Sequence, residues 1–287
     1  MHGWLNLDKP IGLTSAQAVN QIKKFFKAKK AGHLGTLDPL ATGVLPIALG
    51  EATKTIPYVY SGLKAYNFTI KWGEQKTTDD LSGEVVKRSS VQPSLNQIKL
   101  LIKNFVGTIE QTPPNFSAIK IHGVRAHKLA RNGEEVCLKP RFVSVYQLIL
   151  ISHDVVNNSS DFFISCGSGV YVRSIARDLG ISLGCFGHII KLRRVMVGDF
   201  KESQSIIMPR SIDSNSIISI HSVLKSIVKV NISFQDAKKI KNGQELILNC
   251  LSNLKNNDIC YTVVDDLPIA ICCFANGIIK PIRVFCI

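Results

Sequence analysis

The stretch GHLGTLDPLATG, residues 32–43, strongly restricts the backbone of this chain. It holds three glycines and Pro39 around a single acidic residue, Asp38. Glycine permits tight turns, and proline disfavours helical geometry at the residue before it. The pattern predicts a loop that fixes one carboxylate, either as a turn residue with an Asx-type hydrogen bond or as a reactive group at the base of a cleft.

The segments that flank this loop have the periodicity of regular structure. Thr14 and Ser15 are capping residues for a helix that ends in the basic run KKFFKAKK, residues 23–30. After the loop, the apolar stretch VLPIALG and the alternating stretch KAYNFTIKWG both predict strands. We expect these two strands to frame the loop.

Further along, helix and strand signals alternate. Ser94 caps an amphipathic helix that runs to Phe105, and residues 162–180 predict a strand, a Gly-rich turn and a helix. Residues 203–222, rich in Ser, Ile and Asn, predict a loose connection.

The C-terminal part predicts a small β domain beyond a boundary near residue 228. Ser233 caps a short helix, and Asn276-Gly277 is a strong hairpin signal. The strand-like runs of this part are ELILNC, ICYTVV, IAICCF and IIKPIRVF.

The charge of the chain favours a polyanionic partner. The formal net charge is +14, from 35 Lys and Arg against 21 Asp and Glu, although a solvated lysine-rich surface gives the same total. Residues 112–140 are too polar and irregular for a core, so they predict a protruding basic segment.

Several classes of protein are disfavoured by the same sequence. The apolar runs are too short to cross a bilayer, and Asp8, Lys9 and Pro10 interrupt the start before a signal peptide develops. The eight cysteines lack the spacing of a zinc site and are expected to be reduced thiols. We therefore expect a cytoplasmic protein without a metal, a cofactor or a membrane partner.

Asp38 is the first candidate for chemistry. A carboxylate of ordinary pKa is ionised at neutral pH and can act as nucleophile, base or electrostatic stabiliser. A neighbouring arginine would stabilise the charged form, and Arg173 and Arg177, four apart on one helical face, are both candidates.

Three other side chains are candidates for binding. His33 is suited to contacting phosphate or supporting the loop, and less to acting as a base. Tyr66 and Tyr171 are either nucleobase-stacking residues or ordinary core residues.

Taken together, GHLGTLDPLATGVLPIALGEATK closely resembles the catalytic motif of the TruB family of bacterial tRNA pseudouridine synthases. LNLDKPIGLTS, KAYNFTIKWG, GVYVRSIARDLG and HIIKLRRVMVGDF resemble further segments of that family, in the family's order. The resemblance implies the α+β pseudouridine synthase fold, a mixed, mainly antiparallel sheet flanked by helices. It also implies an isomerase that converts uridine 55 in the T arm of tRNA to pseudouridine.

The resemblance assigns roles to individual residues. It implies that Asp38 is the nucleophile, that Tyr66 stacks on the target uracil, and that Arg173 pairs with the aspartate. It implies substrate binding by His33 at the flipped base, Tyr171 at the target nucleotide, Leu192 in the uracil pocket, and Lys9 in the opening Lys-Pro pair. The segment KTTDDLSG, residues 76–83, keeps Thr78 and Asp80 but departs from the family elsewhere.

The domains and partners follow from the same resemblance. Residues 1–228 form the catalytic domain, in which 112–140 is the thumb insertion that closes over the T stem-loop, and residues 229–287 form a PUA-like RNA-binding β domain. Since the chain lacks long basic tails, we expect a monomer that acts on tRNA without a guide RNA.

The implied reaction moves ribose C1′ from uracil N1 to C5. It needs an extruded base but no redox cofactor, and Asp38 is left with three roles: addition to C6, attack on C1′, or removal of the 2′ proton. One alternative is a non-catalytic RNA-binding protein in which Gly32–Gly35 is a GxxG backbone clamp. A second is a nucleoside hydrolase or glycosylase acting on a small substrate, which the basic charge disfavours.

Overall fold

The structure is a computed structural model that describes residues 1–60, 62–208, 213–248 and 253–287. The α-helices are α1 Ser15–Phe25, α2 Leu95–Leu101, α3 Ala126–Arg131, α4 Val172–Ser182, α5 Ile220–Val223 and α6 Phe234–Lys241. The strands are β1 Gly3–Lys9, β2 Ala31–His33, β3 Thr42–Leu49, β4 Lys64–Trp72, β5 Glu74–Lys76, β6 Val85–Arg88, β7 Gly107–Gln111, β8 Lys120–Ile121, β9 Val124–Arg125, β10 Arg141–Asp154, β11 Ser159–Cys166, β12 Gly187–Val197, β13 Phe200–Lys201, β14 Ile206–Ile207, β15 Val228–Asn231, β16 Leu246–Ile247, β17 Ile259–Val264, β18 Leu267–Ala275 and β19 Ile278–Val284. Short 3₁₀ helices span Gly50–Tyr58, Ile102–Phe105, Glu202–Gln204 and Ser214–Ser216.

One large sheet organises the first two thirds of the chain. Its strand order is β14-β1-β3-β12-β4-β11-β10-β7, with β2 paired to β3 and β13 to β12. The β1–β14 and β12–β3 pairs are parallel, and the other pairs of this sheet are antiparallel. The predicted mixed, mainly antiparallel sheet is therefore confirmed.

Strand β12 lies between the two strands that were expected to frame the loop. Its Arg193 and Arg194 pair with Thr42 and Gly43 of β3. Gly43 has a φ of +98°, and a Cβ there would lie 2.2 Å from the Arg194 carbonyl oxygen, so only glycine permits this approach. The close pairing brings the segment 188–200 against the end of the Asp38 loop.

The helices begin where their capping residues predict. Thr14 forms a capping box with Gln17 at the start of α1, and Ser94 forms one with Gln97 at the start of α2. Helix α1 packs its apolar face into the large core. Helix α2 is more exposed than its pattern predicts, because Leu95 is 41% exposed.

A second sheet forms the C-terminal part, in the order β15-β17-β18-β19-β16. Asn276 and Gly277 both have positive φ, 51° and 78°, as a two-residue hairpin between β18 and β19 requires. The predicted run ELILNC contributes β16, while its residues 249 and 250 lie outside the described residues. The small β domain is confirmed as a fold; its boundary near residue 228 stays a prediction.

One apolar cluster joins the two sheets. Trp4 of β1 and Phe200 of β13, both in the large sheet, pack in the same cluster as Tyr261 and Phe285 of the second unit. Burial of each aromatic side chain stabilises the folded state by about 1.5–3 kcal/mol, so this cluster stabilises the contact between the two units.

The two irregular segments contain short elements. The connection 203–222 holds β14 and α5, and its residues 209–212 lie outside the described residues. Residues 112–140 form the β8–β9 hairpin and α3. This segment leaves the sheet between β7 and β10, where Gln111 and Arg141 pair directly. Within the described residues, no helix is long and apolar enough to span a membrane.

Candidate active site

The loop that carries Asp38 is held by the start of α1. The Ser15 hydroxyl accepts from the Leu37 amide at 2.9 Å and donates to the Leu37 carbonyl at 3.0 Å. The Gly12 amide donates to the Pro39 carbonyl at 2.8 Å. With its backbone fixed on both sides, Asp38 presents a side chain that is 37% exposed.

Arg173 of α4 is the partner of this carboxylate. Its Nε lies 2.9 Å from Asp38 Oδ2, and its Nη2 donates to Oδ1 at 3.3 Å. The guanidinium is 5% exposed and also donates to the carbonyls of Thr78 and Phe116 at 2.9 and 3.0 Å. An arginine fixed by several acceptors holds a carboxylate in one orientation.

Arg177, the alternative partner, points elsewhere. Its Nη1 lies 3.2 Å from Asp79 Oδ2, and its Nε donates to Asp178 at 2.8 Å. Of the two arginines that the sequence left open, the structure therefore brings Arg173 to Asp38.

A second carboxylate, that of Asp80, also lies near Arg173. Its Oδ2 is 3.9 Å from Arg173 Nε, while its Oδ1 accepts from the Thr78 hydroxyl at 2.6 Å and the Ser82 amide at 2.9 Å. Asp80 was not assigned to the site from sequence. The signal was the acidic pair in KTTDDLSG, of which one member faces Arg173 and the other faces Arg177.

Asp79 gives this loop a pH-dependent stability. Burial raises the pKa of the Asp79 carboxyl to about 6, against the opposing effect of Arg177. Because the folded state then binds this proton more tightly than the unfolded state, the stabilising contribution of Asp79 falls as pH rises from about 4 to about 6. We expect the unfolding free energy of the wild type, minus that of Asp79→Asn, to decrease over this range. Urea unfolding of both proteins at about pH 4 and about pH 7 measures the difference, and a constant or rising difference contradicts it.

Tyr66 lies on β4, inside the site rather than on its surface. It is 8% exposed, and burial raises the pKa of its hydroxyl, which is hydrogen-bonded to the Arg194 guanidinium. The hydroxyl is therefore neutral at physiological pH.

Arg194 is a site residue that the sequence reasoning missed. Its guanidinium is buried and donates to the carbonyls of Val44 and Gly35 at 2.8 and 2.9 Å. Arg194 thus holds the backbone of the Asp38 loop in place and links that loop to Tyr66. The available signal was the Arg-Arg pair of HIIKLRRVMVGDF: neighbouring residues of a strand face opposite sides, and Arg193 faces away to pair with Asp8.

Leu192 lines a small pocket with the charged pair. The lining includes Asp38, Arg173, Asp80, Leu40 and Leu192. An apolar wall therefore stands beside a carboxylate and a guanidinium, an arrangement suited to a flat ligand with polar edges.

His33 ends β2 with unused hydrogen-bonding capacity. Burial, and to a smaller extent the charge of Arg194, lowers its pKa, so the ring is neutral near pH 7. Among the described residues, its buried Nδ1 has no hydrogen-bond partner.

Lys9 is placed under the loop. It is fully buried, and its ammonium donates to the carbonyls of Pro10, Leu13 and Pro39 at 2.9, 2.8 and 3.4 Å. Burial lowers its pKa to about 8, with Asp38 opposing the shift. This geometry makes Lys9 a brace of the loop, and its contact with substrate stays a prediction.

Tyr171 immediately precedes α4. The Arg141 guanidinium lies 5.3 Å from the centroid of the Tyr171 ring. The Gln111 side chain forms hydrogen bonds with the backbone of Tyr171. The ring is partly exposed, two residues before Arg173. Among the described residues, no group of His, Cys, Asp and Glu is arranged to hold a metal ion.

Two family models match adjacent parts of the chain, which together span residues 23–229. The TruB family pseudouridylate synthase N-terminal domain matches residues 23–172, and the tRNA pseudouridylate synthase B C-terminal domain matches residues 173–229. The second match ends within β15, so the other strands of the second sheet lie beyond both matches.

Curated relatives match over nearly the whole chain. The tRNA pseudouridine synthase B of Wolbachia pipientis subsp. Culex pipiens is 52% identical, with 99% of each chain covered. That of Ehrlichia ruminantium is 51% identical, also with 99% of each covered. That of Rhodopseudomonas palustris is 43% identical, covering 99% of this chain and 81% of the relative.

Solved structures share the fold. A structure of an H/ACA RNP bound to a substrate RNA containing 2′-deoxyuridine has a TM-score of 0.72 at 23% identity, covering 99% of this chain and 84% of that one. A Cbf5-Nop10-Gar1 complex gives 0.71 at 25% identity, covering 99% and 83%. The α+β pseudouridine synthase fold with a PUA-like C-terminal β domain is confirmed. By the family models and by its curated relatives, this chain belongs to the TruB family of pseudouridylate synthases.

Proposed function

We propose that this chain is a tRNA pseudouridine synthase, an isomerase that converts uridine 55 in the T arm of tRNA to pseudouridine. The observation that carries the proposal is the exposed Asp38 carboxylate, fixed by the buried Arg173 at the wall of a small pocket. Relatives that match 99% of the chain bear the name tRNA pseudouridine synthase B.

In the reaction, the bond from ribose C1′ to uracil N1 breaks, the bond from C1′ to C5 forms, C5 loses its hydrogen as a proton, and N1 takes up a proton. Asp38 acts through its carboxylate, which the adjacent Arg173 guanidinium holds in one orientation. Addition to C6, attack on C1′ and removal of the 2′ proton are all compatible with a carboxylate at this position. Since a stacked uridine cannot reach Asp38, the base is extruded into the pocket.

The remaining side chains receive binding roles. Tyr66 stacks on the uracil and Leu192 contributes the apolar wall of its pocket. His33, which is partly exposed, contacts the flipped base. Tyr171 contacts the target nucleotide, and Lys9 acts on the substrate through the loop that it braces.

The partner is the T stem-loop of tRNA, held by residues 112–140. Two solved neighbours come from an H/ACA RNP and a Cbf5-Nop10-Gar1 complex, whereas the full-length relatives are named as tRNA enzymes. We therefore infer a monomer that acts in the cytoplasm without a guide RNA. The GxxG clamp is not favoured, because Gly32 lies in β2 rather than between two helices.

Release of tritium from tRNA labelled at uridine C5 tests this proposal. The purified protein is expected to release tritium from full-length tRNA, and mapping of the product is expected to place pseudouridine at position 55. No release, or modification at another position only, contradicts the proposal. Formation of free uracil from uridine, without release of tritium, would instead support a nucleoside hydrolase.

The affinity for tRNA is expected to fall steeply with salt. Contacts between Lys or Arg and phosphates release counterions, so the dissociation constant should rise by about 10- to 100-fold between roughly 50 and 200 mM salt. Lys128→Gln, an exposed position of α3, should flatten this dependence, whereas the exposed Lys99→Gln on α2 serves as the control. Filter binding measures both, and a flat response of the wild type contradicts the basic surface as docking site.

A further inference from the structure

The segment 112–140 joins the rest of the molecule through a narrow neck. Gln111 ends β7 and Arg141 begins β10, and the two residues face each other in the antiparallel ladder. Any movement of the segment relative to the sheet therefore passes through these two positions.

The neck is bonded to the residue before α4. Gln111 is 1% exposed, and its side-chain Oε1 accepts from the Tyr171 amide at 2.9 Å. Its Nε2 donates to the Tyr171 carbonyl at 3.2 Å. One primary amide thus satisfies both backbone groups of Tyr171, which requires a donor and an acceptor on the same side chain.

The other side of the neck holds the ring of Tyr171. The Arg141 guanidinium stacks on it at 5.3 Å, and its Nη2 donates to the Gly169 carbonyl at 2.5 Å. A stacked guanidinium restricts a tyrosine ring without using its hydroxyl. Backbone and ring of Tyr171 are therefore fixed by opposite sides of one neck.

The first residues past the neck are bonded to α4 itself. The Thr112 carbonyl accepts from the Ser174 hydroxyl at 2.9 Å and from Arg177 Nη2 at 2.7 Å. The Phe116 carbonyl accepts from Arg173 Nη2 at 3.0 Å, the same nitrogen that donates to Asp38. The base of the segment and the Asp38–Arg173 pair are thus held by one helix.

We propose that Gln111 is a positioning residue, which sets Tyr171 and keeps residues 112–140 in register with the Asp38 pocket. The proposal rests on the proposed function, because it assumes that Tyr171 contacts the target nucleotide. Arg141 contacts Tyr171 from the other strand of the neck. The contacts of Gln111 and Arg141 with Tyr171 together form a clamp. RNA held by the segment is then aligned with the pocket before the uridine is extruded.

Gln111→Met tests the clamp, since methionine has a similar shape and neither hydrogen bond. We expect the single-turnover rate of tritium release to fall about tenfold, with tRNA affinity changed less than about twofold. In a Tyr171→Ala background, the same substitution should change the rate less than about twofold, because its effect acts through that ring. Equal losses in both backgrounds would overturn the assignment of Gln111 to the setting of the Tyr171 ring. Ile109→Val, on the same strand and away from Tyr171, controls for loss of packing.

Hydrogen exchange provides a readout that needs no activity. In Gln111→Met, the amide of Tyr171 and the peptide 112–118 should exchange faster, while β4 keeps its protection. Unchanged exchange in both regions would overturn the clamp, even if Gln111→Met modifies tRNA more slowly. Conversely, faster exchange in a protein that does not act on tRNA would support the clamp and contradict the proposed function.

Discussion

Asp38→Asn is expected to lower the rate of tritium release from C5-labelled tRNA by at least about 1000-fold. Asparagine has nearly the same shape but carries no charge, so it cannot act as nucleophile or base. Arg173 keeps its bonds to the Thr78 and Phe116 carbonyls, and the Asp38 side chain is 37% exposed, so folding should change little. Single-turnover release measures the rate, and filter binding should show nearly unchanged affinity for tRNA.

A matched substitution separates chemistry from the loss of one partly exposed carboxylate. Asp161 on β11 accepts from the Thr69 and Ser152 hydroxyls at 2.6 and 2.7 Å, away from the pocket. Asp161→Asn should retain release within about twofold of wild type, as surface substitutions away from a site usually do. If Asp38→Asn releases tritium at the wild-type rate, the assignment of Asp38 is wrong.

Arg173→Met is expected to lower both the rate of tritium release and the free energy of unfolding. It leaves Asp80 and the Thr78 and Phe116 carbonyls without their guanidinium, and removal of one partner of a buried ion pair destabilises by about 3–5 kcal/mol. Because Asp38 loses the group that orients it, we also expect at least about a 100-fold slower release at saturating tRNA. Urea unfolding and single-turnover kinetics measure the two effects.

Arg177→Met is the comparison for this substitution, since the two arginines lie one helical turn apart. Arg177 contacts Asp79 and the Thr112 carbonyl but not Asp38, so its loss should slow release by less than about tenfold. Equal losses of activity from both variants would contradict a specific pairing of Arg173 with Asp38.

The local elements of the fold were predictable because they depend on local patterns. The period-2 alternation of KAYNFTIKWG predicts strand β4, and the capping residue Thr14 predicts where helix α1 begins. The Asn276-Gly277 pair gave a hairpin because both residues tolerate positive φ. These features require no knowledge of distant residues.

The arrangement of the site depended on distant pairings. Arg173 and Arg177 share one helical face, so only the positions of the Asp38 loop and residues 76–83 distinguish them. Arg194 was missed because its role depends on the pairing of β12 with β3. Gln111 looks like an ordinary polar residue in sequence, and only its burial against the backbone of Tyr171 gives it its contacts.

The placement of β12 between β3 and β4 has a consequence for synthesis of the protein on the ribosome. Strands that leave the ribosome early cannot complete the middle of the sheet until residues 187–197 have followed. Such long-range pairing makes folding slow, because a long chain must close before the contact forms. A nascent chain that ends before β12 therefore has the Asp38 loop but neither Arg194 beneath it nor the Leu192 wall. The pocket around Asp38 is thus completed only late in translation, once residues 187–197 have been made.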